Sequence, residues 1–295
     1  MIKKILRSGY GLLESIFISI DKRLLRRTRN LRMIPNIKYR RGGKVSYGEW
    51  TYVVGIFQTI LNIQLGSKTN NRILDIGCGT GLLGIASEPF LGDEGKYIGI
   101  DILNDNIEFC RSHFKDRRYV FHKLNAQNPH YVSDAYTTVS NSYPIEDKTI
   151  DMVTALSVWT HFNEDDAKFY FKEIDRVLKE NGKAIVTFFL MDDIYEETLP
   201  HRSAKKSRFH NTFQNLWRFT NACSNSEGWF TPEWAKTPEE AIGVTQVAID
   251  KIINDTQLCL IEKYTGNWKE VPGVYFQDIL VFTKSQKRST QSNSN

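Results

Sequence analysis

The sequence predicts an α/β fold in which a doubly wound, mostly parallel sheet carries helices on both faces. Strand patterns alternate with helix patterns over the central part of the 295-residue chain, which is typical of a parallel sheet. One apolar strand pattern also runs into a turn with three glycines, an arrangement that places a ligand at the carboxyl end of a strand. The composition, 41% hydrophobic and 25% charged, excludes a disordered or membrane-spanning class.

The elements can be assigned in chain order. Apolar residues at helical spacing predict a helix over 48–65 that ends near Gly66. Five strands are then predicted, over 72–76, 96–101, 119–124, 150–156 and 183–189. Helices are predicted between most of them, and one of these covers 165–180 and ends at Asn181-Gly182. A helix over 239–256 and two successive strands, 258–264 and 277–284, follow, and the two strands predict an antiparallel edge pair.

The predicted domain organisation has three parts. A basic N-terminal arm or helix covers residues 1–45, the main domain covers 46–284, and a polar tail, expected to be disordered, covers 285–295. Within the main domain, residues 191–238 form an aromatic-rich insertion. Its aromatic and basic residues either form a cap with an acceptor pocket or pack as a small subdomain core.

Charge is concentrated in the N-terminal arm. Residues 1–44 contain 13 Lys and Arg against Glu14 and Asp21, a balance of +11, whereas the rest of the chain carries −6. Apolar residues of the arm recur at helical spacing, namely Leu12, Leu13, Ile16, Phe17 and Ile20. Such a helix can lie on an anionic membrane surface, meet an anionic substrate, or pack its apolar face on its own protein, and the pattern leaves these alternatives open.

The four cysteines are scattered, without a C-x-x-C pair and without histidines at metal-ligand spacing. Neither a disulfide framework nor a zinc site is therefore predicted. The cysteines favour a reducing, cytoplasmic location, and the basic arm is compatible with a position at the membrane periphery.

The glycine-rich turn admits two interpretations. Gly79-Thr80-Gly81-Leu82-Leu83-Gly84 satisfies the dinucleotide pattern G-x-G-x-x-G, which would indicate an NAD-dependent oxidoreductase. The register argues against it, because the turn begins at Gly77, two residues before the pattern starts. Asp75 also stands in the preceding strand where a dinucleotide-binding strand usually has only apolar residues.

The segment Leu74-Asp75-Ile76-Gly77-Cys78-Gly79-Thr80-Gly81 resembles motif I of class I S-adenosylmethionine (SAM)-dependent methyltransferases. The resemblance extends over roughly residues 70–190, with weaker agreement to the end of the chain. The resemblance implies SAM as cofactor and a Rossmann-like methyltransferase fold with seven strands and an antiparallel edge strand. It implies that Asp101 binds the ribose hydroxyls and that Asn125-Ala126, where the family commonly has Asp-Ala, reads the adenine. The implied cofactor-binding residues are Asp75, Gly77, Cys78, Gly79, Thr80, Gly81, Asp101, Ile102, Asn125, Ala126 and Ser157.

The implied reaction is methyl transfer, which needs a base mainly when the acceptor atom is oxygen. His161 is the best candidate base, because it follows the fourth strand on the cofactor side and imidazole titrates near neutrality. The alternative is a structural histidine that is hydrogen-bonded among Trp159 and Phe162. Asp192 is a second candidate, with Asp193, His201 and His210 as further rivals after the fifth strand. Upstream, Glu49 either pairs with the ammonium group of the cofactor or only favours a helix N-terminus.

The acceptor is predicted by exclusion and analogy. The chain contains no Asn/Asp-Pro-Pro-Tyr motif and no cysteine that follows a proline, so a nucleic-acid acceptor is not expected. A small-molecule or saccharide hydroxyl is expected instead, by analogy with methyltransferases of similar style. A SAM-binding module without catalysis remains the alternative, distinguished by the absence of any methylated product.

Overall fold

A computed structural model describes residues 2–42, 44–126 and 141–285, and the side chains from residue 9 onward within them. The chain divides between Lys123 and Leu124 into two compact units. The predicted arm lies in the first unit. The predicted polar tail lies outside the described residues, apart from Ser285.

The first unit contains a three-stranded parallel sheet. Its strands are β1 (Arg72–Ile76), β2 (Lys96–Asp101) and β3 (Tyr119–Lys123), with β2 in the middle. Two of these spans agree fully with the predicted ones and the third differs by one residue. The strands are mostly apolar because they are buried, as parallel sheets covered on both faces require.

Four helices belong to the first unit: α1 (Ile2–Leu24), α2 (Tyr47–Leu65), α3 (Leu82–Ser87) and α4 (Asn104–His113). Helix α2 confirms the helix predicted over 48–65. It starts where the Ser46 side chain accepts a hydrogen bond from the Glu49 amide, and it ends at Gly66, whose φ of 61° suits glycine.

The second unit is built on two long parallel neighbours, β4 (Ile150–Ala155) and β5 (Leu178–Met191). Helix α5 (Glu164–Val177) connects them. The helix predicted to reach residue 180 ends three residues earlier, because the chain enters β5 at Leu178 and turns at Asn181, which has a φ of 60°.

Three short strands extend from the last residues of β5. They are β6 (Phe219–Ala222), β7 (Trp229–Pro232) and β8 (Gly243–Thr245). Strand β8 runs parallel to the end of β5, and β7 and β6 follow in antiparallel order. Among the described residues of this unit, two further α-helices are α6 (Asp193–Thr198) and α7 (Gln246–Ile253).

The last two strands, β9 (Leu258–Tyr264) and β10 (Asp278–Lys284), confirm the predicted antiparallel edge pair. Strand β10 is antiparallel to β5. The fold is therefore the predicted mixed, mostly parallel α/β sheet with an antiparallel edge. The predicted count of seven strands is too low, because the described residues form ten, and the three additional strands have only three or four residues each.

The helix predicted over 239–256 is wrong in its first half. Residues 238–240 form a 3₁₀ turn and 243–245 form β8, so the helix begins only at Gln246. Gly243 explains the strand, because a Cβ there would lie 2.8 Å from the ring of Phe219. This close contact across the short strands is a tertiary constraint that helical periodicity does not reveal.

Candidate active site

The glycine turn of the first unit has the backbone that its sequence requires. Gly77, Gly79 and Gly81 all have positive φ, at 66°, 53° and 86°. A Cβ at Gly81 would lie 2.4 Å from the ring of Phe114, so this position excludes a side chain on packing grounds. A Cβ at Gly79 would meet nothing within 4 Å, so open space lies beside this backbone. Such space lets a ligand approach the chain closely.

Asp101, at the end of β2, is tied to this turn. Its Oδ2 accepts a hydrogen bond from the Gly79 amide at 2.9 Å, and its Oδ1 accepts one from the Leu103 amide at 2.8 Å. The side chain is nearly buried, and this burial raises the pKa of the carboxyl while the two amides oppose the rise. The Asn106 side chain and the Ile102 amide also hydrogen-bond to this carboxylate, so the binding of ribose hydroxyls by Asp101 stays a prediction. Ile102, the next residue, is half-buried.

Asp75 and Cys78 support the turn from within. Asp75 is buried and accepts a hydrogen bond from the Tyr97 hydroxyl, while the Cys78 thiol packs inward beside Cys110. The hydrogen bond with Cys110 and burial raise the pKa of the Cys78 thiol well above its ordinary value. Because the thiol is neutral and points inward, Cys78 can contact a ligand only through its backbone. The direct cofactor contact of Asp75 stays a prediction.

The turn also carries an unsatisfied polar group. The Thr80 hydroxyl is buried, and within the described parts of the chain no hydrogen-bond partner for it is found. Buried hydroxyls are normally paired, so this group fits a ligand that brings a partner. Together with the open space at Gly79, this hydroxyl makes the turn suitable for a ligand that approaches the backbone closely and carries a hydrogen-bonding group.

In the second unit, the chain after β4 is held in an unusual conformation at Ser157, whose φ of 59° is uncommon outside glycine. The Ser157 amide donates to Thr187 Oγ1 at 2.7 Å, and the Ser157 hydroxyl donates to Gln277 Oε1 at 2.8 Å. Thr187 donates to the same oxygen at 2.8 Å. These hydrogen bonds hold Ser157 in this conformation, and its contact with the cofactor stays a prediction.

Thr187 and Gln277 were not among the residues predicted for the site. Thr187 is fully buried in the apolar run of β5, and Gln277 directly precedes β10. The available signal was a polar residue inside an otherwise apolar strand, which has to find a partner when buried. The partner is 90 residues away in sequence, so periodicity alone does not identify it.

His161 ends a 3₁₀ turn, Trp159–His161, that follows β4. Its Nδ1 lies 2.7 Å from the carbonyl oxygen of Glu239. A carbonyl can only accept, so Nδ1 carries the proton of the neutral ring and Nε2 carries the lone pair. The half-buried ring therefore has the tautomer that a general base working through Nε2 requires.

Asp192, the second candidate base, has structural partners. Its side chain caps α6 by accepting from the Tyr195 amide at 3.3 Å, and it pairs with Lys263 and Lys269, both at 2.8 Å. Burial raises the pKa of Asp192, but the two lysines outweigh this effect and hold the pKa below its ordinary value. A carboxylate with a lowered pKa is a weaker base, so these contacts favour a structural role.

The remaining rivals are placed as follows. Asp193 begins α6, and His201 is exposed in the 3₁₀ turn after it. His210 is held between Glu270 at 2.9 Å and Thr212 at 2.8 Å, and burial lowers its pKa. These contacts give His210 a structural role within the insertion.

The predicted adenine contacts, Asn125 and Ala126, follow β3. The Asn125 side chain is exposed and its backbone carbonyl accepts from the Asn141 amide group, while Ala126 is half-buried, and both roles stay predictions.

Glu49 accepts from the Val45 amide at 3.4 Å beside the Ser46 cap. This contact places Glu49 at the helix N-terminus, and its pairing with the ammonium group of the cofactor stays a prediction.

The aromatic residues of the insertion pack mainly on the end of β5 and on Trp268. Tyr195 and Phe219 lie in one buried cluster with Phe189, Met191 and Trp268, against which Trp217 and Phe230 also pack. Arg202 is buried too, with its guanidinium 4.6 Å from the Tyr195 ring. These aromatic residues therefore belong to the core of the second unit. Phe213 and Trp234 differ, since 46% and 41% of their surface remains exposed.

Comparison with known proteins identifies residues 73–182 as a match to the methyltransferase domain family. A ubiquinone biosynthesis O-methyltransferase from Pelagibacter ubique is 33% identical over 113 residues, which are 38% of this chain and 40% of that relative. A sterol 24-C-methyltransferase from Aspergillus fumigatus is 31% identical over 140 residues, 47% of this chain and 33% of that relative. The chain thus spans less than half the length of these two relatives.

The fold is also found in a solved structure. The crystal structure of the PH0226 protein from Pyrococcus horikoshii superposes with a TM-score of 0.51 at 18% sequence identity, covering 81% of this chain and 92% of that protein. At this identity the likeness concerns the fold alone.

Proposed function

Since the chain belongs to the class I SAM-dependent methyltransferase family, we propose that it transfers a methyl group from SAM to a hydroxyl oxygen of a small-molecule or glycan acceptor. SAM is the cofactor of that family. Because residues 73–182 match the methyltransferase domain family, the glycine turn is interpreted as a SAM site and not as the dinucleotide site of an oxidoreductase. His161 carries the proposal of O-methylation, because the contact of its Nδ1 with the Glu239 carbonyl leaves the lone pair of the neutral ring on Nε2.

When bound, SAM supplies a methyl group on a sulfonium whose sulfur is already a good leaving group. The protein therefore contributes mainly orientation and the exclusion of water. In the first unit, the backbone of Gly77–Gly81 would hold the cofactor closely, and Asp101 would accept from its ribose hydroxyls. In the second unit, Asn125 and Ala126 are proposed for the adenine and Ser157 for the methionine portion.

His161 is proposed to take the proton of the acceptor hydroxyl on Nε2. A neutral alcohol is a poor nucleophile, and removal of its proton makes the electron pair of the oxygen available. The Glu239 carbonyl stabilises the imidazolium that forms, since Nδ1–H keeps its acceptor throughout.

The relatives do not fix the methylated atom, because one is named for O-methylation and the other for C-methylation. The choice of oxygen rests on His161. The choice of a saccharide or similar hydroxylated acceptor is supported by the exposed rings of Phe213 and Trp234, since aromatic faces stack on sugar rings. The insertion that carries them is proposed as the acceptor-binding region.

Cofactor binding is tested by calorimetry with SAM and its demethylated product. Asp101→Ala removes two charge-assisted hydrogen bonds, so we expect affinity to fall about 10- to 100-fold or more. Asp105→Ala, an exposed acid four residues later in α4, is the matched control and should bind normally. Equal affinity in the two variants, or binding of NAD in place of SAM, would overturn the assignment of the cofactor site.

Catalysis is tested with SAM carrying a labelled methyl group and a panel of saccharide and other hydroxylated acceptors. We expect His161→Ala and His161→Gln to lower kcat about 10²- to 10⁴-fold while the affinity for SAM is retained. Unchanged kcat would exclude His161 as the base. SAM binding without product from any acceptor would favour the non-catalytic alternative.

A further inference from the structure

Helix α1 exposes its apolar side. Exposure of these side chains ranges from 54% to 73%, for Leu12, Leu13, Ile16, Phe17, Ile20 and Leu24. Successive residues of a helix are 100° apart, which places all six within one broad stripe. This exposure contradicts one of the three alternatives for the arm, namely that its apolar face packs on its own protein.

The opposite side of α1 is the one that contacts the first unit. Glu14 is buried there and pairs with Arg40, whose side chain is also fully buried, at 2.6 Å. Gly11 lies against Ile37, and Lys22 donates to the carbonyl oxygen of Ile34 at 2.8 Å. The helix is thus attached through polar contacts on its inner side, which hold the apolar stripe outward.

Basic residues extend the stripe at its C-terminal end. Arg23, Arg26 and Arg27 are exposed, and the acids of this region are Glu14, which is buried against Arg40, and Asp21. Apolar residues flanked by arginines are the pattern of helices that lie in the headgroup layer of an anionic bilayer. No helix in the described parts of the chain is long and apolar enough to cross a membrane.

We propose that α1 lies flat on an anionic phospholipid surface, with the apolar stripe inserted between headgroups and the arginines in contact with lipid phosphates. Charge decides between a bilayer and a second copy of the chain. Residues 1–44 carry a balance of +11, so a second copy would bring a like charge to the interface, whereas an anionic leaflet neutralises it. The proposal is independent of methyl transfer.

The test is flotation of the full-length protein with vesicles of phosphatidylcholine containing about 30% phosphatidylglycerol. We expect binding that falls sharply with pure phosphatidylcholine and with added salt. The triple variant Ile16→Ser, Phe17→Ser, Ile20→Ser should bind at least about 100-fold more weakly, because three apolar side chains no longer enter the lipid. Arg23→Gln, Arg26→Gln, Arg27→Gln should cause a loss of about 100-fold with anionic vesicles.

A matched control replaces three apolar residues that are about half exposed elsewhere. Ile63→Ser, Val247→Ser, Ile261→Ser removes comparable exposed apolar surface and should leave vesicle binding unchanged. Thermal unfolding of every variant verifies that the fold is retained. Because vesicle binding needs neither SAM nor acceptor, its outcome is separate from that of the proposed function.

Two results would overturn the proposal. One is equal binding of the wild type and the Ile16/Phe17/Ile20 variant to anionic vesicles, or no binding by either. The other is a concentration-dependent dimer in light scattering without lipid that this variant converts to a monomer, since the stripe would then be covered by a second copy.

Discussion

Helices α1 and α5 have the same kind of sequence and opposite surroundings. Each carries apolar residues at helical spacing on one side and charged residues on the other. In α5 the apolar side is buried, with Phe171 and Ile174 fully inaccessible, whereas in α1 Ile16 and Phe17 are 61% and 71% exposed. Periodicity therefore identifies an apolar face and leaves open what covers it.

The difference comes from residues far away in sequence. Phe171 has its ring centroid 5.1 Å from that of Trp159 and 5.1 Å from that of Phe282, which lies in the last strand. Helix α1 is attached instead to the nearby segment that contains Ile34 and Arg40. A helix buries its apolar face when the fold places a sheet against it. The order in which the strands and helices of a unit are connected determines whether this happens.

The largest expected effect separates the two helices directly. Phe171→Ala removes a fully buried ring and leaves a cavity, which should lower the free energy of unfolding by about 3–5 kcal/mol. Phe17→Ala, the same substitution on the exposed stripe, should change it by less than about 0.5 kcal/mol. Urea unfolding measures both. Similar losses in the two variants would mean that the stripe of α1 is covered in solution.

The second prediction concerns how α1 is attached. Glu14→Ala leaves the Arg40 guanidinium buried without its carboxylate, which should lower the free energy of unfolding by about 3 kcal/mol. The bonds of Arg40 to the Pro35 and Val45 carbonyls remain and limit the loss. Glu164→Ala removes the pair with Lys168 at the start of α5, where one partner is solvent-accessible, and should cost below about 0.5 kcal/mol.

Urea unfolding measures these free energies. Limited proteolysis after the arginines of residues 23–29 detects whether α1 has detached from the first unit. We expect Glu14→Ala to be cleaved faster than the wild type and Glu164→Ala to be cleaved at the wild-type rate. If Glu14→Ala is as stable and as resistant as the wild type, the inner contact of α1 does not hold the stripe outward.

Most of the sheet could be predicted from the sequence, because buried parallel strands are apolar runs of five or more residues with turn residues at their ends. Strands β1 and β2 were predicted to the residue for this reason. Strands β6 to β8 were not predicted, because they are only three or four residues long and depend on contacts such as that of Gly243 with Phe219. Short strands are determined by their partners and carry little pattern of their own.

The candidate site shows the same division. The glycine turn is contiguous in sequence, so its residues and their conformations could be anticipated from a strand, three glycines and a helix. The support of Ser157 by Thr187 and Gln277 joins residues separated by 30 and 120 positions. The Glu239 carbonyl that orients His161 is a backbone atom 78 positions away, and no residue type signals it.

The smallest expected effect tests how much a helix end contributes compared with a covered face. The Asn163 side chain accepts from the Asp166 amide at 2.9 Å and caps α5. Asn163→Ala should therefore lower the free energy of unfolding by about 1 kcal/mol, and Asn163→Asp, which keeps an acceptor oxygen, should restore most of it. Urea unfolding at constant slope measures the difference. A loss as large as that of Phe171→Ala would mean that α5 is stabilised chiefly at its end. A loss several-fold smaller indicates that α5 is held in the fold by its covered apolar face, which α1 lacks.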